Sequence, residues 1–338
     1  MQLFKTTISS EDLNTITDTI TSGELGFGSN VTKLEQAYKL FSHKEYNTAT
    51  NSASAAAFMI FAYLKEKYGV CDIYTPSIGF TSPAWAAKHH GHNLIWVDVD
   101  DSLVFDLDDY RQKRRMRCER YTDAGIKPVL MPILYGGVAN IKSFDTLSED
   151  NYNEIIVVDS AHCATPKIKS DFTFFSFHPY KPIAASDGGM ISTDNKEAAY
   201  WFNCYRNFGR QSIDETYDIV ADGFKFYMNN LNASIALTQL NRYQENLKVR
   251  KDVYNLIEKL NLDGTLTRHD ELSSYYFATL VCNKDSASEL LSKYPTSKHY
   301  PMLHKTSYFK TDTVLPNTER IHKVLLNLPL YDKDIYNS

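Results

Sequence analysis

The run Glu154-Ile155-Ile156-Val157-Val158-Asp159 (EIIVVD) decides the fold. Four consecutive β-branched apolar residues lie between two carboxylates, too few for a helix and without the alternation of a strand that has one wet face. Such a continuous run reads as a strand buried on both faces, the mark of a parallel sheet. The same texture recurs at 93–99 (NLIWVDV), 127–134 (KPVLMPIL) and 171–177 (DFTFFSF), with shorter strands at 45–50, 72–76 and 189–193. Helical stretches at 54–68 and about 82–90 separate the earlier strands. Strands alternating with helices specify an α/β domain with a mostly parallel central sheet.

Beyond Met228 the pattern changes. Residues 229–260 read as one long helix, stopped near Asp263-Gly264; a strand at 275–282 (YYFATLVC), a helix at 286–293 and a loop-rich tail follow. We therefore expect a large domain over 1–240 and a small C-terminal α+β domain over 241–338. A chain of 338 residues suits two domains, and 43 % hydrophobic with 23 % charged residues excludes wholesale disorder.

A net charge of −5 argues against a dedicated nucleic-acid binder. No apolar run approaches the roughly 20 residues that cross a bilayer, and the segment from Met1 to Asp12 has no signal-peptide core. The expectation is a soluble, cytoplasmic protein without nucleic-acid or membrane partners. Five scattered cysteines without a C-x-x-C pair exclude a disulfide framework, and ten histidines without ligand spacing give no metal site. No G-x-G-x-x-G, Walker, H-E-x-x-H or G-x-S-x-G motif is present. The basic run at 111–120 (RQKRRMRCER) reads as the solvated face of a connecting helix.

Four features fall at strand ends, where open α/β sheets bind ligands. Ser52-Ala53-Ser54 joins a strand to a helix, either as a phosphate-sized anion site or with Ser54 as an ordinary helix cap. Phe80, in the loop Pro76-Ser77-Ile78-Gly79-Phe80, either stacks on a flat ring or packs into the core. Asp159 ends a buried strand and needs a partner: a metal, a helix cap or a protonated heterocycle nitrogen would each serve. His162 lies three residues on. Lys181 follows Phe175-Ser176-Phe177-His178-Pro179-Tyr180, and a lysine desolvated in such a loop becomes a nucleophile for carbonyls.

Together these are the parts of a pyridoxal-phosphate site. In that order they resemble the DegT/DnrJ/StrS family of nucleotide-sugar aminotransferases, of fold type I, from Ser22-Gly23-Glu24 to Leu328-Pro329-Leu330. The resemblance implies that Ser52, Ala53, Ser54 and Ser176 hold the cofactor phosphate and that Phe80 covers the ring. It implies that Asp159 pairs with the ring nitrogen, that His162 lies near the phenolic oxygen, and that Lys181 carries the cofactor as an imine. The family's Gly-x-Asn-x-Arg-Met is similar to Gly223-Phe224-Lys225-Phe226-Tyr227-Met228, which puts Lys225 where relatives reach a neighbour's cofactor across a homodimer. His299-Tyr300-Pro301 matches a segment near the sugar cleft.

The implied reaction moves an amino group from L-glutamate to a keto-sugar on a nucleoside diphosphate, with a 4-keto-6-deoxy sugar commonest in the family. Lys225, Arg206 and Arg210 are candidate contacts for the dianionic substrate. Two alternatives share the fold. A sugar dehydratase would replace Lys181 by histidine, which this chain does not do; a non-catalytic cofactor-binding regulator would fit Ser52-Ala53-Ser54 standing where the family has Ser-Gly-Thr, and Tyr227 where it has Arg.

Overall fold

The strand signals are met because alternate side chains enter different cores. In the computed structural model, Ile73, Val129 and Val157 pack into one apolar cluster while their neighbours Tyr74, Leu130 and Val158 pack into another. Each strand between two such layers must be apolar at every position, which is why no alternation is visible. The structure describes residues 3–120, 126–139, 141, 144, 153–213, 216–283 and 287–336.

The chain opens with helices α1 (Ser10–Ser22), α2 (Ser29–Ala37) and α3 (Lys39–Ser42). It continues through β1 (Tyr46–Thr50), α4 (Ala53–Tyr68), β2 (Cys71–Pro76), α5 (Thr81–His89), β3 (Asn93–Val97) and α6 (Leu107–Arg120). Next come β4 (Lys127–Leu130), β5 (Ile155–Asp159), β6 (Phe172–Ser176), β7 (Gly189–Thr193) and α7 (Lys196–Tyr205). A hairpin of β8 (Arg210–Ile213) and β9 (Thr216–Ile219) precedes α8 (Asn230–Asn241) and α9 (Tyr243–Lys259). The remainder holds β10 (Gly264–Leu266), β11 (Ala278–Cys282), α10 (Ala287–Lys293), α11 (Pro316–Val324) and β12 (Leu325–Leu328).

Seven strands form the central sheet in the order β1-β7-β6-β5-β4-β2-β3, and β7 alone runs antiparallel to its neighbours. Strands β10, β11 and β12 form a separate antiparallel sheet. One apolar cluster runs from Phe175, Phe177 and Met190 of the central sheet through α8 and α9 to Leu280 and Leu328 of the small sheet. Each large side chain buried there contributes about 1.5–3 kcal/mol.

Three expectations are corrected. The single helix over 229–260 is two, broken at Arg242, whose φ of −91° and ψ of 4° leave the helical region. No Gly or Pro marks the break; the Arg242 guanidinium instead reaches the buried Asp12 carboxylate at 2.9 Å. The strand expected from residue 275 starts at Ala278, because Tyr275 has a left-handed φ of 48°. The strand expected over 127–134 ends at Leu130. The basic run lies on α6, where Lys113 pairs with Asp109 at 2.6 Å and Arg117 forks onto buried Asp72.

Candidate active site

The carboxyl ends of β1, β2, β5 and β6 open onto one cavity of about 450 Å³. Eight of the nine predicted site residues line it: Ser52, Ala53, Ser54, Phe80, Asp159, His162, Ser176 and Lys181. The ninth, Lys225, lies outside it, exposed beside Tyr227, and its carbonyl accepts from the Asn51 side chain at 3.1 Å.

The floor is built by strand ends. Asp159 closes β5 and is 4 % exposed. Its Oδ1 accepts from the Ala161 N–H at 3.0 Å, and among the described residues Oδ2 takes no hydrogen bond. Burial pushes its carboxyl up to about 6, against the opposing pull of that N–H and of the Lys181 charge. Lys181 stands in the turn between β6 and β7, held by its own N–H donating to the His178 carbonyl at 2.8 Å. Burial brings its amine down to about 8, with Asp159 acting in the other direction. Its Nζ lies 4.5 Å from the centre of the Tyr276 ring.

The wall opposite is the N-terminus of α4. The cap is Ser52, whose Oγ accepts from the Ala55 N–H at 3.1 Å; Ser54, the residue expected to cap, is the second residue of the helix and stays exposed. The helix end packs so tightly on β7 that a methyl on Gly189 would sit 2.6 Å from the Ala53 nitrogen and the Ser52 carbonyl carbon. Ser176 ends β6, its Oγ accepting from the His178 N–H at 3.3 Å. Phe80 is 56 % exposed, an aromatic ring spread on a cavity wall rather than in the core.

His162 is buried, and burial holds its imidazole well below the usual range, aided by Lys181 and His299. His178 and His299 also line the cavity and are pushed down by burial and by the Lys181 charge, His299 to about 4. Arg206, an expected substrate contact, is instead buried, bonded to Glu35, the Ala49 carbonyl and Asn203. Arg210 stacks on Phe208 and Tyr217.

Sequence reasoning missed Tyr276. It sits inside an apolar run, and only the packing of its backbone on the Gly136 carbonyl, at 2.9 Å, brings it beneath the lysine. No residue type at that position signals a site.

The residues present suit pyridoxal phosphate. A helix N-terminus with two serines can take the phosphate, an exposed phenyl ring can cover the heterocycle, an amine can take the aldehyde, and a carboxylate lining the cavity has an oxygen that accepts no hydrogen bond among the described residues. Among the described residues no cluster of His, Cys, Asp or Glu could hold a metal, and no helix is long and apolar enough to cross a membrane.

Comparison with known proteins agrees with this geometry. The model of the DegT/DnrJ/EryC1/StrS aminotransferase family matches residues 6–334. The spore coat polysaccharide biosynthesis protein SpsC of Bacillus subtilis is 25 % identical, covering 96 % of this chain and 90 % of that protein. The UDP-4-amino-4,6-dideoxy-N-acetyl-beta-L-altrosamine transaminase of Campylobacter jejuni is 22 % identical over 96 % of this chain and 91 % of its own. Among solved structures, Spr1654 of Streptococcus pneumoniae in its PMP form superposes with a TM-score of 0.86 at 22 % identity, covering 99 % of this chain and 96 % of that one. PseC of Helicobacter pylori, an aminotransferase of pseudoaminic acid biosynthesis, superposes with a TM-score of 0.84 at 18 % identity over 97 % and 92 %. The fold is that of the fold-type I pyridoxal-phosphate aminotransferases. Matched along nearly its whole length, this chain belongs to the DegT/DnrJ/EryC1/StrS family of sugar aminotransferases, and its cofactor is pyridoxal phosphate.

Proposed function

We propose that the chain transfers the amino group of L-glutamate to a nucleoside-diphosphate-linked keto-sugar, a 4-keto-6-deoxy sugar, in polysaccharide biosynthesis. The observation that carries this reading is the placing of Lys181 and Asp159 in one cavity at the carboxyl edge of the sheet. When bound, pyridoxal phosphate supplies a sink for the electrons released at the donor's α-carbon. Everything else falls to the protein.

Lys181 anchors the cofactor and, once displaced by the donor, carries the proton from the donor's α-carbon; an amine near 8 is poised for both tasks at neutral pH. Asp159 holds a proton on the ring nitrogen with its unpartnered Oδ2, and its depth keeps that interaction out of water. Ser52, Ala53, Ser54 and Ser176 hold the phosphate, and Phe80 presses on the ring. Lys225, exposed and outside the cavity, completes the site of a second copy in a homodimer. The protein works in the cytoplasm, where nucleotide sugars are made.

The test is a panel of nucleotide keto-sugars given to the loaded enzyme with L-glutamate, read by product mass. An amino-sugar nucleotide and 2-oxoglutarate are expected. Conversion of no keto-sugar by an enzyme whose visible band shifts with glutamate would refute the acceptor class.

A further inference from the structure

The resemblance places His162 near the cofactor's phenolic oxygen, yet both its ring nitrogens are already engaged. Nδ1 accepts the Gly136 N–H at 3.3 Å, and Nε2 meets the Tyr300 hydroxyl at 2.7 Å. A nitrogen that accepts an N–H bears no proton, so the neutral imidazole carries its proton on Nε2 and donates it to the tyrosine oxygen. The Tyr300 oxygen is thereby an acceptor from His162, and its own O–H proton remains to be given elsewhere.

Tyr300 is 5 % exposed but lines the cavity. Its ring lies edge-on to Phe80 at 6.4 Å and near-parallel to His162 at 5.6 Å. Its backbone is pinned from the small-sheet side, its carbonyl meeting the His322 Nε2 at 2.9 Å. The preceding residue, His299, holds a left-handed φ of 61°, a conformation that a non-glycine residue keeps only where its surroundings enforce it. The hydroxyl is therefore fixed between the wall that covers the ring and the imidazole expected at the phenolic oxygen.

Resting on the functional reading above, we propose that Tyr300, set in place by His162, is the group that donates a hydrogen bond to the cofactor's phenolic oxygen, and that His162 is a positioning residue. Burial keeps Tyr300 protonated, so the donor is present throughout the working pH range. Besides His162, the other ionisable groups lining the same cavity are Asp159, His178, Tyr180, Lys181, Asp187, Tyr276 and His299.

The consequence has a sign. Negative charge on the phenolic oxygen holds the proton on the neighbouring imine nitrogen, and a donor on that oxygen drains the charge. Removing the donor must make the imine hold its proton more tightly. A hydrogen bond to a charged oxygen shifts such an equilibrium by about tenfold or more, or about one pH unit.

The experiment is a pH titration of the visible absorption of the pyridoxal-phosphate-loaded protein, wild type against Tyr300→Phe, His162→Ala and the double variant. Tyr300→Phe removes one oxygen and keeps the ring. It is expected to raise the spectral midpoint by about one unit. His162→Ala is expected to raise it by no more, and to add nothing in the Tyr300→Phe background. An unmoved midpoint in Tyr300→Phe overturns the proposal, including the case where only the sugar's KM changes. So does a His162→Ala shift that persists in the double variant, since His162 would then touch the cofactor itself. A wild-type protein that takes up no cofactor sinks the functional reading and this inference together; a normal wild-type titration with an indistinguishable Tyr300→Phe sinks this inference alone.

Discussion

Lys181 and Asp159 line the same cavity, and the charge of each moves the proton affinity of the other. Burial opposes both charges: it raises the carboxyl to about 6 and lowers the amine to about 8. Between those values both groups are charged in a place that resists charge. In the function proposed above, a cofactor with a ring nitrogen to protonate and an aldehyde to take up the amine would relieve both.

Lys181→Ala should leave the fold unchanged by circular dichroism and lower turnover by several orders of magnitude. The variant should still bind the cofactor, since the helix terminus and Phe80 are untouched. Turnover within about tenfold of wild type would remove Lys181 from the chemistry.

The cofactor-free chain should carry a pH signature. The folded-state value of Asp159 lies above the ordinary 3.8, so the folded chain binds that proton more tightly than the unfolded one. Stability from this group is greatest near pH 4 and is lost as pH rises through 6. Lys181 lies below its ordinary 10.5, so its contribution recovers as pH rises from about 8. Asp159→Asn should thus be more stable to denaturant than wild type at pH 7, by on the order of 3 kcal/mol, with the advantage vanishing near pH 4. An advantage independent of pH would contradict the raised carboxyl. The same variant, loaded with cofactor, should lose turnover by orders of magnitude.

Gly189→Ala tests the phosphate turn. A methyl there meets backbone of Ala53 and Ser52, which cannot swing away as a side chain can. Overpacking of about 1–3 kcal/mol must displace the α4 terminus, so cofactor affinity should fall about ten- to hundredfold. Fluorescence or absorbance titration with pyridoxal phosphate measures it, and an unchanged Kd would place the phosphate elsewhere.

Glu35→Ala addresses Arg206. The guanidinium is 5 % exposed, and Glu35 is its carboxylate partner. Leaving that charge alone should cost about 3–5 kcal/mol in denaturant unfolding. The KM for the sugar nucleotide should stay within about twofold, because the Ala49 carbonyl and Asn203 still hold the Arg206 guanidinium outside the cavity. A large KM change with little loss of stability would restore Arg206 as a substrate contact.

The central sheet was legible because strands covered on both faces cannot hide polar residues, so EIIVVD and DFTFFSF stand out from any solvent-facing pattern. That Asp159 and Ser176 would face the cavity was legible for a related reason, since both are polar residues closing strands that are otherwise apolar; Lys181, in the turn after β6, stood out only through its motif. Helix α1 was not. Its Leu13, Ile16 and Ile20 keep helical spacing, but Leu13 and Ile20 are exposed, and the helix is held instead by the Ser9–Asp12 capping box and by Asp12 accepting from Thr238, Gln239 and Arg242. That same contact, 230 positions apart in sequence, sets the break between α8 and α9. Tyr276 was hidden among apolar neighbours, and the bond between His162 and Tyr300 joins residues 138 apart. Contacts of this range are set by tertiary packing and leave no local pattern to read.

The most direct measurement is borohydride reduction of the pyridoxal-phosphate-loaded protein, followed by peptide mass spectrometry to locate the fixed cofactor. The account predicts a single adduct, on Lys181. An adduct on another lysine with Lys181 unmodified would contradict it.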